Sequence, residues 1–291
     1  MNFRAIRFLI AIATAALVAQ TPSFEVASIK PAKEFSPPSF ALSADDSYRP
    51  TGGRLFAVFP LQTYITFAYK LSLTPEQRQA MLAHLPGWVA MDFYEIEARA
   101  PDTNPTKDQM RLMVQSLLAE RFKLAVHFET HETAVFALTL AKPGKLGPKL
   151  REHSGDPPCD ALAAPPRIIS ADKPGDFVPP CDTYVLFRMG GTNRWGSRHT
   201  TMEMLAGAIP GVGTIGRPVI DRTGLTGRFD FTLEWTPESN NPAAPAPGAA
   251  PDPQGPSFLD ALREQLGLKL ESTRAQVRIL VVDHVERPSE N

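Results

Sequence analysis

Hydrophobic residues along this chain recur with two periods, two for a half-buried strand and about 3.6 for a helix facing a core. Phe24 to Ile29 forms a short strand closed by Pro31, and Arg54 to Phe59 a second. Pro60 suits a first helical position, and Leu61, Tyr64, Ile65, Ala68 and Leu71 then give one apolar face. Gln77 to Leu85 is a weaker helix or turn, ended by Pro86-Gly87-Trp88. From Phe93 to Ala98 the pattern alternates, with Phe93, Glu95 and Glu97 on one side of a strand and Tyr94, Ile96 and Ala98 on the other. Thr106 and Gln109 make a capping box ahead of Met110, Met113, Val114, Leu117 and Leu118, which fall on one helical face. Phe122 to Phe128 and Ala134 to Ala141 read as two strands around a polar turn.

The second half repeats this order. Between Lys142 and Pro180 the composition shifts to Pro, Gly, Ala and charge, the mark of a boundary region. Thr200 and Glu203 form a capping-box pattern before Met202, Leu205, Ala206 and Ile209, and Pro210-Gly211 is expected to stop that helix. In Arg217 to Trp235, Val219 and Ile220 end one apolar run and Phe229, Phe231, Leu233 and Trp235 alternate with polar residues in the next. Gly224, Gly227, Asp221 and Thr223 supply turn chemistry between the runs, predicting a hairpin with a long loop. Pro237 to Pro256 is a low-complexity exposed loop. Ser257 then caps a helix with Phe258, Leu259, Leu262 and Leu266 inward, Gly267 ends it, and Leu268 to Leu270 with Val277 to Val285 make a last hairpin.

Phe93–Glu97 thus matches Phe229–Leu233, and Glu120–Leu124 matches Glu264–Leu268. Val135–Leu140 aligns with Val277–Val282 if the first turn carries two extra residues. The expected fold class is α+β, two related units of amphipathic helices on small, mostly antiparallel sheets. The expected organisation is a signal peptide at 1–20, a first unit at 21–150, a disulfide-bearing linker at 151–190 and a second unit at 191–291 that includes the Pro/Ala-rich loop at 237–256.

Composition refines the compartment. Arg4 and Arg7 precede an apolar run from Phe8 to Ala19, with small residues at Ala15, Ala16 and Ala19, the layout of a cleavable export signal. A membrane span needs about 20 apolar residues, so stable insertion after cleavage is not expected. Without Arg4 and Arg7 the chain holds 28 basic against 31 acidic residues, a balance that disfavours nucleic acid as partner. Cys159 and Cys181 each follow Pro-Pro. In an exported chain the pair is most simply a disulfide, closing about 23 residues and contributing roughly 3 kcal/mol in the chain-entropy account. A metal pair or a redox pair is disfavoured by the lack of CxxC spacing or adjacent ligands.

FEVASIKP at Phe24–Pro31, DQMRLMVQSLLAERFKLAVHFET at Asp108–Thr130, GRPVIDRTGLTGRFDFTLEWTP at Gly216–Pro237 and VVDHVERPSEN at Val281–Asn291 resemble the signature segments of the soil-associated family of exported bacterial proteins, a domain of unknown function. That resemblance implies export but no site residues. The element order of the second half is more distantly similar to the short N-terminal domain of secretins and TonB-dependent receptors, an interaction module.

No catalytic constellation emerges from the sequence. His127 and His131 flank Glu129 in HFETH, but along a strand residues four apart lie about 13 Å apart, beyond one metal ion. His199 and His284 with Asp221, Asp230 and Asp283 could be grouped into a triad, yet no G-x-S-x-G elbow accompanies them, and Ser197 and Ser257 read as loop or cap. Glu95 and Glu97 read as a solvated face, and Gly211, Gly213 and Gly216 stand in the wrong order for a phosphate cradle. Trp88, Trp195 and Trp235, with Tyr64 and Tyr69, read as core. The expectation is a periplasmic or secreted, non-enzymatic binding module, without catalytic, cofactor or metal residues. It would take an envelope protein or small ligand through a sheet edge or the groove between its halves. The alternative is an exported hydrolase whose histidine meets a carboxylate or serine in a pocket.

Overall fold

The computed structural model describes residues 22–155, 158–159, 178–189, 191–237 and 255–288. The segment 1–20, the middle of the stretch 151–190 and nearly all of 237–256 lie outside the described residues.

The first half comprises β1 (Val26–Ala32), β2 (Arg54–Pro60), α1 (Leu61–Ala68), α2 (Pro75–Leu82), α3 (Trp88–Met91), β3 (Phe93–Arg99), α4 (Lys107–Arg121) and β4 (Ala125–Leu140). The second comprises β5 (Leu150–Glu152), β6 (Tyr184–Met189), β7 (Thr192–Thr200), α5 (Met202–Val212), β8 (Val219–Asp221), β9 (Phe229–Trp235), α6 (Phe258–Ala261) and β10 (Leu268–His284). Between α6 and β10 the helix runs on through a π turn, Leu262–Leu266, and ends at Gly267 with φ 71°. The architecture is α+β.

Strands β1, β3 and β2 form an antiparallel sheet in that order. As the alternation required, Tyr94, Ile96 and Ala98 are buried and Glu97 is exposed. Both bonds of the Thr106–Gln109 capping box are made, and α4 buries Met110, Met113, Val114, Leu117 and Leu118. Tyr64 of α1 places its hydroxyl 2.7 and 2.8 Å from the carbonyl oxygens of Ala57 and Tyr94, which fixes the helix on the sheet without leaving a buried hydroxyl unsatisfied. The second sheet runs β5-β9-β7-β6, all antiparallel. Its core holds Trp195, fully buried and edge-on to Phe231 at 4.7 Å, with Leu205 and Ile209 of α5 and Phe258 of α6.

The predicted hairpins resolve differently. The two runs at Phe122–Phe128 and Ala134–Ala141 are one continuous strand, β4, and those at Leu268–Leu270 and Val277–Val285 are one strand, β10. The two pair with each other, antiparallel, from Leu268–Leu140 to His284–Ala125. The offset that relates Leu124 to Leu268 also relates Glu132 to Gln276, and these two residues face one another. The ribbon is therefore symmetric about that pair, and the two extra residues that a turn required are not needed. Lys123 and Gly267, matched by the same offset, both have positive φ, 52° and 71°. Each end of the ribbon enters a different core: Val126, Leu280 and Val282 join the first, and Leu138, Leu140, Leu268 and Leu270 the second.

Arg217–Trp235 is likewise not a hairpin. β8 adds parallel to β4 at Phe136–Leu138, while β9 belongs to the second sheet. The intervening turn uses the expected chemistry: Asp221 Oδ1 accepts from the Thr223 N–H at 2.8 Å, and Gly224 and Gly227 have φ of 70° and 99°. The cap of α5 is Thr201, whose hydroxyl accepts from Met204 N–H, and the helix runs past Pro210 to Val212. A proline one turn from the end removes only one intrahelical bond, so the helix tolerates it.

Candidate functional site

The two halves meet along a seam of charge. The loop after β1 reaches the first turn of α4, where Lys107 Nζ donates to Asp45 Oδ1 (2.9 Å), the Asp45 carbonyl (2.8 Å) and Ser43 Oγ (3.1 Å). Arg111 donates to the carbonyls of Ser43 (3.1 Å) and Asp45 (2.7 Å), pairs with Asp108, and lies over the Phe67 ring. Both cations are buried, at 5% and 3% exposure. Burial pushes the Lys107 ammonium below its ordinary range, against the opposing charge and hydrogen bond of Asp45. The second oxygen of Asp45 accepts from Thr183 Oγ1 at 2.9 Å, a residue of the second half.

Next to it, Asp46 binds Lys70 at 2.9 Å and Arg228 at 3.6 Å. Burial acts to raise its pKa, but the Lys70 hydrogen bond and the charges of Lys70, Arg228 and Arg111 prevail and hold it below the usual carboxylate value. These groups line a cleft of about 500 Å³. Lys70, Lys107, Arg111 and Arg228 bring four cations to its wall, against the carboxylates of Asp46 and Asp108. Lys107 and Arg111 are already held by the Asp45 loop, so Lys70 and Arg228, one from each half, are the cations best placed to meet a solute. The cleft walls also contain the start of α4, whose N-terminal amides favour negative charge.

A second cluster lies on the β5-β9-β7 sheet. Asp230, 5% exposed, sits 2.7 Å from His153 Nδ1 and accepts from the His199 backbone N–H at 3.1 Å. Its other oxygen faces Arg151 at 3.6 Å and Arg198 at 3.9 Å. The His199 ring turns to Asp182 instead, at 2.7 Å, with Arg228 also 3.9 Å from that carboxylate. Cys159 and Cys181 are bonded, with Cα atoms 5.7 Å apart. The imidazole Nε2 of His153 lies 3.8 Å from Cys159 Sγ.

The residues weighed from sequence do not assemble into one site. His199 and Asp230 meet through a backbone bond, whereas Asp221 serves its own turn, His284 pairs with Glu286 and Asp283 with His127. Ser197 donates to the Thr183 carbonyl at 2.6 Å and Ser257 caps α6. Trp195, Trp235 and Tyr64 are buried, Trp88 packs on Tyr94 and Phe122, and Tyr69 lies edge-on to Phe128. Among the described residues no group of three or more His, Cys, Asp and Glu side chains is placed to hold a metal ion.

His127 and His131 both bind Glu129 on the exposed face of the ribbon, and His127 Nδ1 lies 2.8 Å from Asp283. Hydrogen bonds to Asp283 and Glu129 raise the His127 pKa above 6.5. A raised folded-state pKa means stabilisation present below pH 6.5 and lost as pH rises through the folded value. In Asp283→Asn the His127 titration followed by NMR is expected to move down towards 6.5; an unchanged titration would remove Asp283 as its cause.

Sequence reasoning missed His153, Asp182, Asp45, Asp46, Lys107, Arg111 and Arg228. The one available signal was charge within an aperiodic stretch, DD at Asp45-Asp46 and CD at Cys181-Asp182. Compared with known proteins, the chain matches a family model described as a protein of unknown function, DUF3738, over residues 62–285. No curated protein and no solved structure matches it.

Proposed function

The chain belongs to the DUF3738 family of proteins of unknown function, and from that premise we propose that it is a non-enzymatic binding module of the cell envelope whose cleft takes a small anionic ligand. The observation that carries this reading is the cation-rich cleft at the seam, with Lys70 and Arg228 converging on Asp46 from opposite halves. An incoming carboxylate or phosphate can take the place of Asp46 between them, and Arg offers it a bidentate fork. The Cys159–Cys181 bond fits an oxidising compartment, in keeping with export through the segment at 1–20. No helix among the described residues is long and apolar enough to cross a membrane.

A melting screen against inorganic phosphate, dicarboxylates and anionic sugars tests this. At a hundredfold excess over Kd, binding stabilises by about 2.7 kcal/mol, and Arg228→Gln or Lys70→Gln is expected to remove most of the shift while leaving the unliganded fold intact. The reading fails if no anion raises the melting temperature of the wild type. The pairing of buried Asp230 with half-buried His153 favours one other reading, an exported hydrolase with His153 as base and Asp230 orienting it. Turnover in a hydrolase panel that is lost in Asp230→Asn would select it.

A further inference from the structure

We propose that the Cys159–Cys181 bond is an exchangeable redox disulfide, with Cys159 leaving as the thiolate and His153, oriented by Asp230, providing its counter-charge. The spacing of the cysteines argues against a CxxC redox pair, but the fold supplies what the spacing does not. His153 stands between a buried carboxylate and a disulfide sulfur, Nδ1 at 2.7 Å from Asp230 and Nε2 at 3.8 Å from Cys159 Sγ. The carboxylate fixes the ring with its Nδ1–H on Asp230, so a proton added to the imidazole sits on Nε2 and points at sulfur. An imidazolium in that position stabilises a thiolate. A leaving thiol of low pKa is displaced faster and makes the disulfide more oxidising.

The surroundings favour this polarity. Asp230 is held by the His199 N–H and faced by Arg151 and Arg198, so it keeps its place. The His199 ring, edge-on to His153 at 4.9 Å, is itself committed to Asp182, which also faces Arg228. Both cysteines are partly exposed, as attack by an external thiol requires. That co-reactant is a dithiol. Its first sulfur, having lost a proton to water, bonds to Cys181 Sγ, and the Cys159–Cys181 bond breaks with its electron pair going to Cys159. His153 takes up a proton and holds that thiolate. The second donor sulfur, likewise deprotonated, attacks the first, the mixed disulfide breaks, and Cys181 leaves and takes a proton from solvent. The protein disulfide is reduced and the dithiol oxidised.

The test is independent of the cleft and uses the full chain. In Cys181→Ser, Cys159 is the only thiol; in Cys159→Ser, Cys181 is. Thiolate absorbance against pH is expected to place Cys159 about one unit or more below the ordinary thiol value of about 8.5. Adding His153→Gln should return Cys159 to that value while leaving Cys181 unmoved. In the otherwise unchanged protein, His153→Gln is expected to shift the equilibrium with dithiothreitol about tenfold towards the disulfide. Cys159 and Cys181 titrating alike, or His153→Gln leaving Cys159 unmoved, would overturn the proposal. The wild type alone gives a further readout: opening by glutathione supports it, and the resistance to glutathione shown by structural disulfides contradicts it.

Discussion

Asp45→Ala is expected to destabilise the protein by about 3–5 kcal/mol, the usual cost of removing one partner of a buried ion pair. Asp45 and Lys107 are nearly fully covered, their side chains 11% and 4% exposed. The substitution leaves the Lys107 ammonium with Ser43 and a backbone carbonyl, with the Arg111 guanidinium beside it. It also removes the acceptor of Thr183, a bond that joins the halves. Urea unfolding at neutral pH measures the loss, and a change within about 0.5 kcal/mol, the range of ordinary surface substitutions, would show that the seam carries little. The pH dependence has a definite sign. Lys107 has its pKa lowered in the folded protein, so between that value and 10.5 the unfolded chain binds more protons and stability rises with pH. Asp45 normally opposes the lowering, so the alkaline recovery should be larger in Asp45→Ala than in the wild type.

The second large effect concerns the ribbon. Leu280→Ala is expected to cost about 2–5 kcal/mol, although residue 280 belongs to the last strand and its side chain fills the first core at 4% exposure. Its neighbour Ile279 is 38% exposed, and Ile279→Ala should change stability by no more than about 0.5 kcal/mol. Equal effects at the two positions would contradict the register in which Leu280 faces Phe128 and Ile279 faces Glu129. The end of β10 adds further ties to the first half. Glu286 N–H donates to the Phe122 carbonyl at 2.7 Å, and Arg287 binds Asp92 and lies over Trp88.

Strands β2 and β3 and helices α1 and α4 were legible because their signals are local, whereas β1 runs through Pro31 to Ala32 instead of closing there and α3 begins at Trp88, where the sequence showed only a helix end. The alternation in Phe93–Arg99 names the buried face of a strand, and Thr106 with Gln109 names the start of a helix; tertiary contacts agree with both. The ribbon was not legible, for a physical reason. Around Glu132 and Gln276 both strands leave the cores, and the exposed runs Glu129–Glu132 and Glu271–Arg274 are polar like turns. Pairing between strands more than a hundred residues apart supplies what hydrophobic period cannot. Arg217–Trp235 misled in the same way: two adjacent apolar runs read as mutual partners, and each found another.

The site was hidden by distance along the chain. Asp46 lies in an irregular loop, Lys70 just after α1 and Arg228 before β9, and only the packing of the halves makes them neighbours. His153 and Cys181 border the Pro-rich stretch that reads as linker, yet β5 and β6 beside them complete the second sheet. Charge without periodicity marked the region without revealing which charges meet.

The most direct test of the binding account is a map of backbone amide NMR shifts on titration with the anion that gives the largest rise in melting temperature. The account predicts saturable shifts at Lys70, at Asn104, Thr106, Lys107 and Asp108 and at Arg228, lost in Arg228→Gln. Binding that moves amides only elsewhere, such as along the middle of the ribbon, would contradict it.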